Sequence, residues 1–498
     1  MKYYITTTLP YVNAKPHIGF ALEIIQADVL ARYHTLLGDE VIFNTGTDEH
    51  GLKIFRKAEE LGTTPQVYSD EWAGKFDALK QSLNLTYTNF IRTTNKKHEA
   101  AAQKFWGLCL ENGDIYKKNY QVKYCVGCEL EKTDSELEDD KCPVHPNLDL
   151  EIIDEENYFF KFSKYQEPLL KMYKDNPGFV VPQHRFNEIT KFVERGLQDF
   201  SISRIKEKMP WGVPVPGDAE QVMYVWFDAL VNYISTLGWG SNDNSNFKDF
   251  WPGVQVAGKD NLRQQTAMWQ AMLLSAKLPT SRQVFIHGFI TSEGKKMSKS
   301  LGNVVDPFEI AEKYGTDALR YYILGAVPSY DDGDFSIERF EEFYTADLVN
   351  GVGNLTSRIL AMLEKYSDGK IPKVEDKNIE NEKEFKKTFW KVYNDGIKQY
   401  SFRGTTEFVI ALVGKYDTLI SNEKPWEKFK NGEDISELLY QLAEGLRHIA
   451  VALLPIIPES AEKILEQLGT KDLSHDWGKL PENGIIKKGE ILFPRLEK

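Results

Sequence analysis

Between Tyr3 and Leu9 apolar and polar side chains alternate in the manner of a strand, and from Ala21 to Leu37 the apolar residues Leu22, Ile25, Val29, Tyr33 and Leu36 recur at helical spacing until Gly38 stops them. Glu40–Thr45 (EVIFNT) then reads as a second strand. Strand, helix, strand is a βαβ unit, which requires a parallel sheet because parallel neighbours need a long crossover. The pattern returns late in the chain. A strand is predicted at Gly253–Gly258 (GVQVAG), a helix over Asn261–Ala276 and a strand at Gln283–Ile290 (QVFIHGFI). Both halves are expected to form one doubly wound parallel sheet of the α/β class.

The segment between the halves has a different character. It carries most of the cysteines and an acidic run from Glu129 to Asp140, and it reads as an insertion. From about Asp347 the alternation gives way to helical patterns at Glu384–Tyr393, Thr405–Ile420 and Ile435–Leu454, which predict an α-helical bundle. The expected boundaries are 1–115 and 196–287 for the two halves of the sheet domain, 116–195 for the insertion, 288–346 for a connecting region and 347–498 for the bundle.

A chain of 498 residues exceeds what one core serves, which agrees with several domains. With 42% hydrophobic and 27% charged residues the composition is that of a globular protein, and fibrous or disordered classes are excluded. No run of 18 apolar residues occurs and the mean hydropathy is −0.43, so no membrane-spanning helix is expected. The first residues lack the pattern of a secretion signal, and the expected location is the cytoplasm. A net charge of −13 argues against nonspecific polyanion binding over the whole surface, although a local patch can still grip one folded RNA.

Two fragments carry candidate chemistry. At the first βα junction, Leu9–Phe20 (LPYVNAKPHIGF) offers backbone N–H groups and a positive helix end that suit a phosphate, though a plain turn reads the same way. Gly294–Asn303 (GKKMSKSLGN) follows a strand and places Lys295, Lys296 and Lys299 among small residues, where ammonium groups can neutralise charge on a triphosphate. A solvated basic loop is the other reading of that segment.

Together the fragments resemble the two signatures of class I aminoacyl-tRNA synthetases, written HIGH and KMSKS. The second is matched in full at Lys296–Ser300; the first is matched as His17-Ile18-Gly19, with Phe20 in the last place. A phenylalanine gives a phosphate no hydrogen bond, so either another group compensates or adenylation is slow. Pro10–Asp28, Asn44–Gly51 (NTGTDEHG), Val225–Tyr233 (VWFDALVNY) and Gly288–Asn303 resemble the methionyl-tRNA synthetases within that class. The resemblance implies a Rossmann-like catalytic domain, a KMSKS-containing connecting domain at 288–346 and an anticodon-binding bundle. It also implies ATP-dependent activation of L-methionine, with Mg²⁺ on the ATP, and transfer to tRNA(Met).

By position it implies His17, Lys296 and Lys299 as catalytic residues. Asn13, His17, Gly19, Gly258, Asp260 and Lys299 would bind ATP. Asp48 would hold the substrate ammonium, and Leu9, Tyr11, Trp226, Ala229, Tyr233 and Gln265 would line the side-chain pocket, with Trp269 behind. Without the resemblance these aromatic residues would read as ordinary core. The family usually has an aliphatic residue and a histidine where this chain has Asn261 and Gln265, and a proline where it has Leu230. A bare buried amide would cost about 1–3 kcal/mol, so Gln265 is expected to hydrogen-bond Tyr233 or a neighbour.

Cys125, Cys128, Cys142 and His145 form two close ligand pairs, the donor set of a closed tetrahedral Zn²⁺ site, expected to be structural. They resemble the single zinc knuckle in the insertion of one methionyl-tRNA synthetase subgroup. Cys109 stands outside this pattern and reads as an inert core residue. Asn354, Arg358, Pro425 and Trp426 match the family's anticodon-reading positions, and a monomer is expected because no appended domain precedes Lys498.

Three other classes of protein share parts of this pattern. A class I enzyme for leucine, isoleucine, valine or cysteine is disfavoured because the insertion is too short for the large editing domain of the aliphatic enzymes and GTDEHG favours methionine. An inactive paralogue serving as a tRNA-binding module would explain Phe20 and Gln265 but not the retained His17, Asp48 and Lys299. A nicotinamide-dependent oxidoreductase lacks its G-x-G-x-x-G after the first strand.

Overall fold

The computed structural model describes residues 1–13, 15–127, 130–132, 136–295, 297, 303–374 and 385–496. Two compact units interleave along the chain. The first comprises Met1–Pro16, Glu40–Ala78 and Tyr87–Ile286; the second comprises His17–Asp39, Leu79–Thr86 and His287–Lys498.

The first unit is built on a six-stranded sheet. Its strands are β1 (Lys2–Thr7), β2 (Glu40–Thr47), β3 (Asn89–Arg92), β7 (Val180–Val181), β12 (Val254–Gly258) and β13 (Gln283–His287), in the spatial order β3-β2-β1-β12-β13-β7. The pairs β2–β3, β1–β2, β1–β12 and β13–β7 are parallel. The doubly wound sheet expected from the sequence is therefore present, with β1 joining the early half to the late one. All five residues of β12 are buried, as befits a strand covered on both faces.

Within residues 115–201 the chain forms a second, antiparallel sheet in the order β5-β4-β6-β8: β4 (Ile115–Cys125), β5 (Leu130–Lys132), β6 (Glu151–Phe160) and β8 (Phe200–Ser201). β4 and β6 pair from Ile115↔Phe160 to Tyr124↔Glu151, which carries the ribbon out to the cysteine-bearing turn. A three-stranded sheet joins β9 (Ser203–Ile205), β10 (Pro214–Val215) and β11 (Asp218–Met223). The aromatic core of the unit includes Phe105, Trp106, Phe227, Tyr233 and Trp269.

Two sequence-based expectations need correction. The strand predicted over 283–290 ends at His287. Phe289 gives its N–H to Asp332 Oδ1 (2.9 Å) and takes that of Gly333 (2.8 Å), so β14 (Ile290–Ser292) pairs instead with β15 (Gly333–Phe335) in the second unit. The helix predicted over 261–276 is interrupted: a 3-10 turn at Lys259–Asn261 and a π-turn at Gln264–Met268 precede regular helix at Trp269–Ser275. The apolar period does not reveal a one-residue change of hydrogen-bond partner.

The second unit is helical. The helix Ile18–Leu36 is buried on nearly every side and carries a buried carboxylate, Asp28. Arg320 Nη2 lies 2.8 Å from Asp28, Arg32 donates at 2.8 Å, and Thr86 gives both its N–H and its hydroxyl at 2.7 Å. Burial alone would raise this carboxyl; the two guanidinium charges outweigh it and hold it below its usual value.

The predicted bundle is observed as Asn354–Tyr366, Lys391–Lys398, Phe402–Glu423, Ser436–Leu453 and Pro458–Gln467. Its C-terminal extension is fastened by a buried pair. Arg447 donates to the carbonyls of Asp472 (3.3 Å), Ser474 (2.8 Å) and Asp476 (2.6 Å), while Glu444 accepts the N–H groups of Gly478 (3.0 Å), Lys479 (3.2 Å) and Leu480 (3.1 Å). No helix among the described residues is long and apolar enough to cross a membrane.

Candidate active site

The helix Ile18–Leu36 begins three residues before the sequence predicts, because its cap is not one of the usual short polar residues. His17 stands at the N-cap with extended backbone, and its Nδ1 accepts the N–H of Gly19 at 3.1 Å. A neutral imidazole that accepts at Nδ1 carries its proton on Nε2, so the ring offers a donor on its other edge. Burial lowers the pKa of His17 and preserves this neutral form. Gly19 is required, since a Cβ there would lie 2.8 Å from His17 Cε1. The same Cβ would lie 3.9 Å from Met297 Cε, and the Ile18 N–H reaches Val305 O at 3.0 Å. The two signature segments are thus neighbours within the second unit. Lys296 and Lys299 lie outside the described residues.

In the first unit Asp48 follows β2 and is buried. Its N–H donates to Pro10 O (3.0 Å) and its carbonyl accepts from Val12 (3.2 Å), in an isolated bridge with Tyr11. The Tyr11 hydroxyl donates to His50 O at 2.7 Å. Tyr11 and Trp226 both pack against the buried group Tyr124, Tyr224 and Val225. Leu9 and Asn13 are partly exposed beside them, and Ala229 is buried on the short helix Val225–Leu230. Gly258 ends β12, and the exposed Asp260 accepts from Asn261 Nδ2 at 3.2 Å. Tyr233 meets Trp269 edge-on, with ring centroids 6.0 Å apart. Gln265 is not bare: its Nε2 donates to the Tyr233 hydroxyl at 2.7 Å.

One group went unread in the sequence. Asp228 is fully buried between His50 (2.6 Å) and His98 (2.8 Å), and His98 continues to Ser235 at 2.9 Å. His50 also meets Trp211, whose indole N–H donates to Glu49 O at 2.5 Å. Burial would raise the Asp228 carboxyl, but the His50 charge and the hydrogen bonds from both imidazoles hold it at about 2. The partners are 178 and 130 residues away along the chain, so no local pattern announces them.

Residues 3–147 and 128–360 match the model of the family described as tRNA synthetases class I (M). A methionine--tRNA ligase of Thermosynechococcus vestitus is 44% identical over 99% of this chain and 97% of its own length. The chain belongs to the class I (M) tRNA synthetases. A methionine--tRNA ligase of Synechocystis is 40% identical over 99% of the chain and 97% of its own length. A solved structure of Mycobacterium tuberculosis methionyl-tRNA synthetase in complex with methionyl-adenylate superimposes with a TM-score of 0.93 at 34% identity, covering 99% of this chain and 100% of that one.

The synthetase also carries a candidate metal centre. Ligand atoms of Cys125, Cys142 and His145 lie within 4.8 Å of one another, with Cys125 Sγ 3.8 Å from His145 Nδ1. Tetrahedral Zn²⁺ at ordinary bond lengths separates its donors by about 3.3–3.8 Å, and the Cys125–His145 separation stands at the upper end of that range. Gly127 makes room for it, because a Cβ there would lie 2.6 Å from the His145 ring. Cys128 lies outside the described residues. Cys109 is elsewhere in the core, with its thiol pushed up to about 12 by burial.

In the helical region of the synthetase, Asn354 is exposed at the start of its helix and Arg358 is paired with Asp417 at 2.5 Å. Lys424, in the left-handed conformation, ends one helix and starts the next at Pro425. Trp426 is 43% exposed and Phe429 46%, unusual for large apolar side chains, while Phe429 also meets Tyr366 at 4.7 Å.

Proposed function

We propose that this chain is a methionine--tRNA ligase: it activates L-methionine with ATP to methionyl-adenylate and transfers the methionyl group to tRNA(Met). The full-length relationship to methionine--tRNA ligases carries this reading.

In the first step a carboxylate oxygen of methionine bonds to the α-phosphorus of MgATP as the bond to pyrophosphate breaks. In the second, the terminal ribose hydroxyl of tRNA attacks the adenylate carbonyl, loses its proton and releases AMP. A carboxylate is already anionic, so the first step needs positioning and charge stabilisation more than a general base.

Asp48 holds the substrate ammonium. His17, through its Nε2 proton, acts with Lys296 and Lys299 on the phosphates, and Asn13, Gly19, Gly258 and Asp260 complete the ATP contacts. Phe20 adds no hydrogen bond, which leaves the charge to the histidine and the lysines. Leu9, Tyr11, Trp226, Ala229, Tyr233 and Gln265 receive the methionine side chain. Cys125, Cys128, Cys142 and His145 would hold one Zn²⁺ with no open position, and its chemistry would be the fastening of their two turns. In the bundle, Trp426 offers a stacking face to a splayed anticodon base, with Pro425, Asn354 and Arg358 beside it in role. The protein works in the cytoplasm.

ATP–pyrophosphate exchange measured with each of the twenty amino acids tests the reading. Exchange should depend on methionine; dependence on another amino acid would keep the class I chemistry and discard the substrate.

A further inference from the structure

The segment Gly294–Asn303 is entered through a turn whose shape its own residues do not favour. Ser292 and Lys295 exchange both backbone hydrogen bonds, Ser292 N–H to Lys295 O at 2.9 Å and Lys295 N–H to Ser292 O at 3.1 Å, so Glu293 and Gly294 form a two-residue hairpin turn. Both central residues have positive φ, +53° for Glu293 and +71° for Gly294. A turn of that kind matches the twist of its flanking strands and prefers Asn-Gly, because asparagine tolerates left-handed backbone. Glutamate does not share that tolerance. Its Cβ crowds the backbone carbonyl in this conformation, and it lacks the short polar side chain that compensates in asparagine.

A group outside the turn must therefore hold it, and that group is on β15. Asp334 is the register partner of Thr291 on β14, so the two side chains stand on one face of the pair. Asp334 Oδ1 accepts the Gly294 N–H at 2.8 Å, and the Thr291 hydroxyl lies 2.6 Å from the same oxygen and 3.1 Å from Gly333 O. A hydroxyl has one proton, and the shorter contact to a charged acceptor takes it. Asp334 is itself anchored. Its carbonyl accepts the Tyr322 hydroxyl at 3.1 Å, and the next residue, Phe335, is buried against Tyr322 and Phe340. Phe335 O accepts the Glu293 N–H at 3.3 Å, which ties the turn to the same strand a second time.

We infer that Asp334 is a positioning residue: its carboxylate staples the Glu293-Gly294 turn shut and so fixes the direction in which the chain leaves Lys295 for the signature lysines Lys296 and Lys299. This rests on the proposed action of those lysines on the phosphates. Charge stabilisation works only if the ammonium is in place when the bond to pyrophosphate breaks, and a misplacement of about 1 Å can cost about a hundredfold.

The test is a loss and its repair. Asp334→Ala should lower kcat in methionine-dependent ATP–pyrophosphate exchange about ten- to a hundredfold with KM for methionine unchanged, because the staple serves groups needed in the transition state. Asp334→Asn keeps an acceptor oxygen in the same place and should stay within about fivefold of the parent chain. Adding Glu293→Asn to Asp334→Ala gives the turn a sequence that holds this shape unaided, and should recover most of the lost kcat. Thr291→Val, which removes the hydroxyl that orients the carboxylate, should lower kcat about threefold and serves if Asp334→Ala does not fold. An exchange rate unchanged in Asp334→Ala, or a loss that Glu293→Asn does not repair, overturns the staple. Lys299→Ala separates this from the reading beneath it. If that variant exchanges at the parent rate, the proposed role of the lysines fails; if it is crippled while Asp334→Ala is not, only the staple fails.

Discussion

Asp228 shows how much chemistry a single buried carboxylate can organise. It takes a hydrogen bond from the imidazole of His50, whose carbonyl in turn receives the Tyr11 hydroxyl, and another from His98. Its carboxyl is ordinarily at 3.8 and is held at about 2, so its contribution to stability is fully present above the higher value and is lost as pH falls toward the lower. Asp228→Asn should therefore cost about 1–3 kcal/mol at neutral pH and flatten the acid limb of the stability curve, as measured by denaturant midpoints from about pH 5 to pH 2. An acid limb identical to that of the parent chain would show that this carboxyl does not titrate with unfolding. None of this was legible in the sequence, where Asp228 is one residue of a motif read for Trp226, Ala229 and Tyr233. His17 and Gln265 were legible as positions; the tautomer of one and the amide orientation of the other required coordinates.

At the scale of elements, the periodicities located the strands and helices well and their ends less well. The first helix begins early because a histidine side chain supplies the cap, and the helix after β12 is broken by a π-turn at the place where Gln265 must face Tyr233. Cysteine spacing is a stronger signal, since ligand pairs must sit on facing turns to share one ion. The ribbon β4–β6 and the turn at His145 bring Cys125, Cys142 and His145 together as that spacing implies. Protein purified without chelator should contain one zinc per chain by metal analysis, and Cys142→Ser should lower that content and increase protease cleavage between residues 125 and 150, leaving the bundle intact. A zinc content clearly below one in intact, folded protein would remove the ion from the proposal.

At the scale of the whole molecule, the parallel sheet could be anticipated because two βαβ patterns need a common sheet, but its order could not. Nothing local says that β1 lies beside β12, or that residues 17–39 and 79–86 join a unit made mostly of the last two hundred residues. Long-range pairing of this kind is settled by buried groups such as Asp28 and Arg320, whose partners the linear order scatters. The C-terminal extension was equally unreadable, since from Lys471 to Leu480 it contains neither helix nor strand. Yet the N–H groups of Gly478, Lys479 and Leu480 end on the buried carboxylate of Glu444. Amide protons escape to solvent only when their acceptor lets go, so this irregular stretch should exchange deuterium on the slow timescale of the helix Ser436–Leu453. Mass-spectrometric exchange would display it as a protected island in a coil, and Glu444→Gln should release it by at least a factor of ten.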